Sequence, residues 1–294
     1  MATGATSTST LDNILPTYLG PARYTLQHKG VTQNLIEKIT LPDNEGLTYN
    51  LPKLGQIVAQ SVAEGVDLQN PQIISDTVLQ ITPAKIGVQV LMTDDAARKT
   101  QSGFARKAGK IMGDAMMKLK EQTLVTLFDG FSVSLPGANT AVTHAHISAA
   151  RTRIQVGGTT TPEPGTGPFR AVLHSNQIHS IITTIQGDIA TDSPAMPEGI
   201  PADIMREHWV KRVHGVDLFH DDLLEIDANA DVKGAVFIPS ALLYLSTSLS
   251  MKHEDERDAS LQSTELNIFD EWGQAEYLDA WGVEIFGDAT APTS

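Results

Sequence analysis

The sequence predicts an α+β protein, and three stretches of the chain carry that prediction. Residues 31–92 hold short runs of β-branched residues between turn formers, which is typical of strands. Residues 94–128 place apolar residues at helical spacing, and residues 169–185 change from a strand pattern to a helix pattern. A chain of 294 residues with 41% hydrophobic residues is long enough to bury sizeable cores around these elements.

The composition excludes several classes of protein. No cysteine is present, which excludes disulfides, thiolate metal sites and cysteine nucleophiles. The formal net charge of −14 argues against a protein that grips nucleic acid through a basic face, although a container can enclose DNA without binding it tightly. No run approaches 18 apolar residues, and residues 1–10 lack the charge and the apolar core of a secretion signal, so we expect no membrane partner.

Residues 1–30 are small, polar and unpatterned, and they predict an extended N-terminal arm; a frayed terminus is the alternative. Short strands are predicted after the arm at residues 39–41, 47–51, 57–59, 77–81 and 86–90. The turn formers that separate them lie at residues 42–44, 52, 70–71 and 83. Because a long two-stranded projection is marginally stable by itself, we expect this region to need a partner surface.

A single long helix is predicted over residues 94–128. Thr93 is placed to be its N-cap, and the charges of Asp94 and Asp95 favour the positive end of the helix dipole. The predicted apolar stripe consists of Phe104, Ala108, Ile111, Met112, Ala115, Met116 and Leu119. Gly130 is the expected residue after the helix. About 35 residues at ~1.5 Å each give a rod of roughly 50 Å, too long for a small compact domain.

Strand and helix patterns alternate in the second half of the chain. Helices are predicted at residues 147–156 and 176–185, and loops at residues 135–143, 157–168 and 187–203. Strands are predicted at residues 169–173, 215–220, 232–238, 244–251, 261–269 and 281–286. A strand followed directly by a helix at residues 169–185 indicates a mixed α/β region.

Two stretches come close to ligand-binding loops but fail at decisive positions. Residues 103–110 have nearly the glycine spacing of a phosphate-binding loop, yet they lack the Ser or Thr that ligates magnesium and lie inside the predicted helix. Asp227, Asn229 and Asp231 match the first three ligands of a calcium loop, but Val and Ile occupy the positions of its glycine and final glutamate. We therefore predict an Asx turn there.

His144 and His146 are the residues best spaced for a metal site. No third ligand lies near them at a standard spacing, and the run from His220 to Asp222 leads to the same conclusion. The sequence contains neither a nucleophile elbow nor a dinucleotide-binding glycine motif. A metal-dependent enzyme that uses the histidine pair stays open as a hypothesis from another class, but our prediction is no catalytic residue, no metal and no cofactor.

Charges are unevenly distributed along the chain. Between Thr93 and Gly130 seven basic residues outnumber five acidic ones, whereas residues 252–288 hold eleven acidic residues and only Lys252 and Arg257 as basic ones. The acidic stretch is either a solvated face or a surface that meets basic residues of a neighbouring subunit and fixes register. The candidate contact residues under the second interpretation are Arg98, Lys99, Arg106, Lys107, Glu254, Glu256, Arg257, Asp258 and Glu265.

The last part of the chain resembles a known family. Residues 254–266 (EDERDASLQSTEL) and 276–288 (EYLDAWGVEIFGD) resemble the closing segment of Hong Kong 97-type major capsid proteins of tailed bacteriophages. In that family an Arg-Asp or Arg-Ala pair, here Arg257-Asp258, precedes a long strand, and a Gly-Val strand ending in Gly-Asp-Ala closes the chain. Earlier parts agree in order. They are residues 63–65 and 82–85, similar to the E-loop, the helix from Asp94, similar to the spine helix, and residues 171–177, similar to the strand-to-helix step of the A domain.

The resemblance implies a Hong Kong 97-type capsid fold. The implied divisions are an N-terminal arm (1–30), an extended E-loop with flanking strands (31–92), a P-domain spine helix (93–145), a mixed α/β A domain (146–240), P-domain strands (241–280) and a C-terminal strand and tail (281–294). It also implies a structural subunit, not an enzyme. Such a subunit assembles with itself into pentamers and hexamers of an icosahedral shell around double-stranded DNA, in the host cytoplasm. Scaffold, portal and decoration proteins are the implied partners, the virion is the implied location, and the 31–92 hairpin is expected to lie over an adjacent subunit.

An encapsulin-type nanocompartment, which encloses protein cargo, is the alternative, and the long strand-rich region before Thr93 favours the phage. Some family members carry a scaffolding segment before the arm; none precedes it here, so we expect either a processed product or a separate scaffold. Other members crosslink an E-loop lysine to a neighbour's asparagine. Lys53, Lys85 and Asn267 lie in the corresponding regions, but no motif assigns them to the reacting positions.

Overall fold

The structure is a computed structural model that describes residues 5–6, 30–42, 46–65, 67, 71–99, 104–158, 162–192, 212–249 and 251–293. In these residues the chain forms two six-stranded sheets, a two-stranded sheet and four α-helices. The predicted α+β class is therefore confirmed. Within the same residues, no helix has the length and apolar character that crossing a bilayer requires.

The elements are numbered in chain order. The strands are β1 (Ala5–Thr6), β2 (Glu37–Leu41), β3 (Tyr49–Leu54), β4 (Asp76–Ile81), β5 (Ala84–Thr93), β6 (Ser134–Ala141), β7 (Phe169–Leu173), β8 (Arg212–Val213), β9 (Val216–His220), β10 (Asp231–Phe237), β11 (Leu242–Thr247), β12 (Lys252–Asp258), β13 (Ser263–Glu276) and β14 (Gly282–Asp288). The helices are α1 (Asp94–Lys99), α2 (Phe104–Val125), α3 (His144–Val156) and α4 (Ser175–Asp192).

The first sheet is built around β13, a strand of 14 residues. Its strand order is β1-β5-β13-β11-β2, and β12 also pairs with β13. One edge of β13 runs antiparallel to β5, while β12 and β11 pair with successive parts of the other edge. Because β5 leads directly into α1, this sheet fixes where the helical region begins.

The second sheet has the order β6-β14-β10-β7-β9-β8 and is mixed. β7 and β9 are parallel and α4 lies between them in the chain, whereas β10 runs antiparallel to both β7 and β14. Helices α3 and α4 bury their apolar residues against this sheet. That core includes Ile147, Ala150, Ile154 and Ile181 of the helices and Ala171, Val236 and Ile285 of the strands. The predicted mixed α/β region is confirmed.

Helix α2 packs into the largest core, together with residues of both sheets. Ala108, Met112, Met116 and Leu124 are buried along it, as the apolar stripe predicts. Ile111 is the exception, because it is 48% exposed. The buried stripe advances in steps of four residues, and this places Ile111 on the outer side of the helix.

The predicted single helix over residues 94–128 corresponds to two described helices, α1 and α2; residues 100–103 lie outside the described residues. The N-cap is confirmed, since the Ala96 N–H donates to Thr93 Oγ1 at 3.3 Å. The predicted ending at Gly130 is wrong. The chain instead passes through a 3₁₀ turn at Thr126–Gly130, in which the buried Phe128 packs into the core.

Four further expectations about elements are wrong. Residues 135–143 are not a loop, because β6 adds to the second sheet parallel to β14. Residues 57–59 are not a strand, since the β3–β4 ladder ends at the pair Leu54–Asp76. Pro52 does not separate strands but lies within β3. Residues 187–192 continue α4, while the rest of that predicted loop lies outside the described residues.

Candidate assembly surfaces

Exposed apolar side chains concentrate on the β3–β4 hairpin, which comprises β3, β4 and the segment 55–75 between them. Of 14 exposed large hydrophobic side chains in the described residues, seven belong to this hairpin and an eighth, Leu47, lies just before β3. They are Leu47, Leu54, Ile57, Val58, Val62, Ile73, Ile74 and Val78. Ile73 is 91% exposed. Large exposed apolar patches are typical of surfaces that contact another molecule.

The base of the β3–β4 hairpin is fixed to its own chain. Tyr49, Leu51 and Leu79 pack against a small buried cluster of Leu41, Ile81, Leu243 and Leu245. The Lys53 ammonium lies 2.7 Å from a carboxylate oxygen of Glu163. The Gln56 side chain donates to the carbonyl oxygen of Pro162 at 2.9 Å. The hairpin therefore has a self-contained core only at its base, and its outer part projects from the body.

A glutamine holds the outer part of the hairpin in place of a strand ladder. The Val58 N–H donates to Gln72 Oε1 at 2.8 Å, and Gln72 Nε2 donates to the Val58 carbonyl oxygen at 2.5 Å. These two bonds satisfy both main-chain groups of Val58 without a neighbouring strand. This explains why residues 57–59 are extended but are not part of a sheet.

Strand β12 forms a charged surface on the first sheet. Its side chains are exposed except for the half-buried Asp258. Lys252 lies 2.6 Å from Glu254, and His253 lies 3.1 Å from Asp255. A row of charges on such a strand discourages indiscriminate pairing with other strands.

Arg257 reaches from β12 to the start of α1. Its guanidinium donates to both carboxylate oxygens of Asp94, at 2.5 and 2.6 Å. This hydrogen bonding holds the pKa of the Asp94 carboxyl below its usual value. The bidentate geometry ties β12 firmly to the start of α1 within one chain.

Most of the other predicted contact residues with described side chains have partners within the chain or lie at its surface. Arg98 is paired with Asp95, Lys99 is exposed and Lys107 is half-buried. Glu265 accepts a hydrogen bond from Gln89, and Glu256 lies opposite Glu265 in the β12–β13 pair. Asp258 accepts from Ser260 in the following turn. The side chain of Arg106 lies outside the described part of the chain.

The three residues that the crosslink would involve lie on different elements. Lys53 is paired with Glu163 at the base of the hairpin. The Lys85 ammonium lies 4.7 Å from the centre of the Phe269 ring. Asn267 lies within β13, opposite Gln89.

The two histidines best spaced for a metal site, His144 and His146, lie at the start of α3. His146 accepts a hydrogen bond from the Thr143 N–H at 3.1 Å and so caps α3. Burial, followed by the neighbouring His144, lowers the pKa of His146. His144 lies 3.2 Å from His214, but the described residues contain no group of three or more metal-ligating side chains.

The predicted Asx turn at residues 227–231 is confirmed. The Asp227 carboxylate accepts hydrogen bonds from the N–H groups of Asn229 and Asp231, each at 2.8 Å. The described residues of the stretch 103–110 are helical, as the sequence predicted. Asp222, in the candidate run from His220 to Asp222, accepts hydrogen bonds from Ser175 at the start of α4.

Sequence reasoning missed two features of α2. Lys120 and Glu121 are buried, with exposures of 4% and 3%. Lys120 forms an ion pair with Asp270 of β13 and lies 5.2 Å from the centre of the Trp272 ring. The available signal was the spacing of Lys120, which lies four residues from both Met116 and Leu124 on the buried face.

No family model and no curated protein sequence matches the chain. Solved structures match it along nearly its whole length. The capsid of cyanophage P-SCSP1u is similar with a TM-score of 0.70 and 14% identity, covering 97% of this chain and 96% of that one. The head protein of Helicobacter pylori bacteriophage KHP40 gives a TM-score of 0.71 and 10% identity, covering 97% and 98%. The encapsulin of the holo-SrpI complex from Synechococcus elongatus gives 0.63 and 11%, covering 93% and 95%. The chain therefore has the mixed α+β fold of solved phage capsid proteins, which an encapsulin also resembles.

Proposed function

We propose that this chain is the major capsid protein of a tailed bacteriophage, a structural subunit of an icosahedral shell. The observation that carries the proposal is the projecting β3–β4 hairpin, which exposes a cluster of apolar side chains that no part of its own described chain covers. A repeated contact with a neighbouring subunit would bury that cluster. The near-complete coverage of solved phage capsids supports the same assignment.

In this proposal the fold is of the Hong Kong 97 type, with the divisions implied by the sequence. The β3–β4 hairpin is the E-loop, α2 is the spine helix of the P domain, and the second sheet with α3 and α4 is the A domain. Subunits form pentamers and hexamers that enclose double-stranded DNA and catalyse nothing. Scaffold, portal and decoration proteins are the proposed partners, and assembly takes place in the host cytoplasm.

An encapsulin-type nanocompartment is the second candidate. The similarity to the Synechococcus elongatus encapsulin favours it, since it covers 93% of this chain at a TM-score of 0.63. The long hairpin before α1 favours the phage shell instead. The two candidates differ in their contents, DNA or protein, and in the size of the shell.

Electron microscopy of the purified chain tests the proposal. We expect closed shells, and a shell diameter sufficient for a phage genome would favour the capsid over the nanocompartment. A small shell that copurifies with a protein cargo would support the second candidate. A chain that is folded by circular dichroism and remains monomeric over a range of salt and protein concentration would contradict both.

A further inference from the structure

Two buried carboxyl groups lie where the N-terminal segment meets the body of the chain. Glu121 belongs to α2 and Asp221 directly follows β9, and their exposures are 3% and 1%. The Glu121 carboxyl is a close neighbour of the Asp221 carboxyl, whose Oδ2 atom is buried and has no hydrogen-bond donor among the described residues. Because two carboxylates can only accept, and repel each other in a buried site, a hydrogen bond between the two groups forms only while one carboxyl keeps its proton.

The same two carboxyls hold the chain at residues 30–33. The Thr32 N–H donates to Glu121 Oε1 at 2.6 Å, and the Gln33 N–H donates to Oε2 at 3.4 Å. The Val31 N–H lies near the carboxyl of Asp221. These are donors at the start of the 3₁₀ turn Thr32–Asn34, which has no side-chain cap of its own.

Glycine at position 30 allows the close approach. A Cβ atom there would lie 1.8 Å from Cγ of Glu121, so any other residue would displace the carboxyl. Asp221 also accepts from the Leu223 N–H at 2.9 Å, which fixes its carboxyl from the other side. The pair is therefore a built cluster with the root of the N-terminal segment, residues 30–35, as its third component.

The charged and titratable groups on the surrounding elements are engaged elsewhere. They are Lys120 of α2, Arg170 of β7, His174 after β7, His220 of β9, Asp222 after β9, and Tyr244 of β11. Lys120 pairs with Asp270, and Arg170 donates to the Leu35 carbonyl oxygen. Asp222 accepts from Ser175 and lies 3.9 Å from His174, His220 is exposed, and Tyr244 hydrogen-bonds to the Gln33 side chain. Lys120 and Arg170 are thus engaged with other groups and do not neutralise the carboxyl pair.

We propose that Glu121 and Asp221 form a proton-dependent clasp, which holds residues 30–35 against the body of the chain and loosens as the pH rises. When Asp221 is protonated it donates to Glu121, whose carboxylate accepts from the main chain of the clasped segment. When Asp221 loses that proton, two carboxylates face each other in a buried site and repel. Their repulsion favours opening of the segment.

The direction of the pH dependence follows from the pKa of Asp221. Burial, followed by the hydrogen bond to Glu121, raises this pKa from 3.8 to about 7. Between these values the clasped state binds more protons than a state in which Asp221 is exposed. The clasp is therefore strongest below about pH 4, weakens as the pH rises towards 7, and changes little above that.

Hydrogen exchange of the full, unassembled chain between pH 5 and 8.5, corrected for the intrinsic effect of pH on exchange, tests the clasp. We expect the opening constant of residues 31–36 to rise at least about tenfold from pH 5 to 7 and then to level off, because one proton is released on opening. Asp221→Asn keeps the donor to Glu121 without the titration, so its opening should not vary over this range. Glu225→Gln, which removes an exposed acid from the same loop, is the matched control and should retain the wild-type profile.

A wild-type opening constant that is flat from pH 5 to 7 would overturn the proposal, as would a wild-type profile in Asp221→Asn. If Asp221→Asn does not fold, Glu121→Gln takes its place, since its amide can accept from Thr32 and donate to Asp221. The readout is taken on free chains, so its outcome is independent of whether shells form.

Discussion

At the scale of single residues, Lys120 and Asp270 fix helix α2 to the first sheet. Both side chains are almost fully buried, and the indole of Trp272 covers the ammonium group. A buried pair adds little net stability, but removing one partner leaves a charge without compensation in the core. The position of Lys120 on the apolar face was visible in the sequence, whereas its partner depends on how β13 packs against α2.

Lys120→Met should lower the free energy of unfolding by about 3–5 kcal/mol, because Asp270 would stay buried without its cation. Urea denaturation measures this. Lys118→Met, on the exposed side of the same helix, is the control and should change the free energy by less than about 0.5 kcal/mol. Equal effects of the two substitutions would contradict the role given to the buried pair.

Arg257→Glu should impair assembly more than folding. The substitution removes the bidentate contact with Asp94 and places a further acid beside Glu256 and Asp258, where like charges repel. A shell repeats the altered surface in every subunit, so small losses accumulate. We expect a chain that is folded by circular dichroism and forms few or no shells at moderate salt.

Lys252→Glu provides the control for Arg257→Glu, because it makes the same change of charge on the same strand without touching Asp94. Its effect on shell yield should be smaller. If Arg257→Glu forms normal shells at low and high salt alike, the acidic strand is only a solvated face.

At the scale of elements, sequence periodicity predicted the helices and strands whose form depends on the local sequence. Strands β2, β4 and β5, helix α3 and the step from β7 to α4 follow their patterns closely. Strand β6 was missed because Ser134–Ala141 contains proline and glycine and has no alternation; its extended form comes from pairing with β14. Residues 57–59 were predicted as a strand and are not one. The Gln72 side-chain amide, instead of a neighbouring strand, bonds to the main chain of Val58.

Ile57→Ser combined with Ile73→Ser should reduce shell assembly and leave the free chain stable. Both side chains are exposed in the single chain, so serine there removes no buried surface, and the free energy of unfolding should change by less than about 0.5 kcal/mol. Contact with a neighbour would lose about 25 cal/mol for each Å² of apolar area. Thermal unfolding and sedimentation velocity measure the two effects.

Ile226→Ser is the control for the hairpin variant, because Ile226 is an exposed isoleucine outside the hairpin. It should assemble like the wild type. If the hairpin variant forms normal shells, the hairpin is not part of the contact surface between subunits.

At the scale of the whole molecule, the segment that resembles capsid proteins is also the structural centre. Residues 254–288 form most of β12 and all of β13 and β14, and these last two strands lie inside the two large sheets. The strand and helix patterns of other stretches predicted the α+β class, and the resemblance in the tail predicted a fold like that of capsid proteins. It did not predict the packing of α2 between the sheets, which depends on contacts between residues far apart in sequence.

Shell formation should not require a metal ion. The described residues hold no group of three or more metal-ligating side chains, and His144 and His214 supply two such side chains 3.2 Å apart. We expect the same shell yield with and without a chelator, measured by sedimentation. Loss of shells in chelator, with recovery on addition of one particular ion, would contradict this expectation.

The central claim is that the β3–β4 hairpin lies over an adjacent subunit in a closed shell. Hydrogen exchange of residues 46–81, compared between purified shells and free subunits at one pH and temperature, tests it most directly. We predict slow exchange at the outer part of the hairpin in shells and fast exchange in free subunits, with the base at Tyr49 and Ile81 protected in both. Equal exchange of the outer part in the two states would contradict the claim.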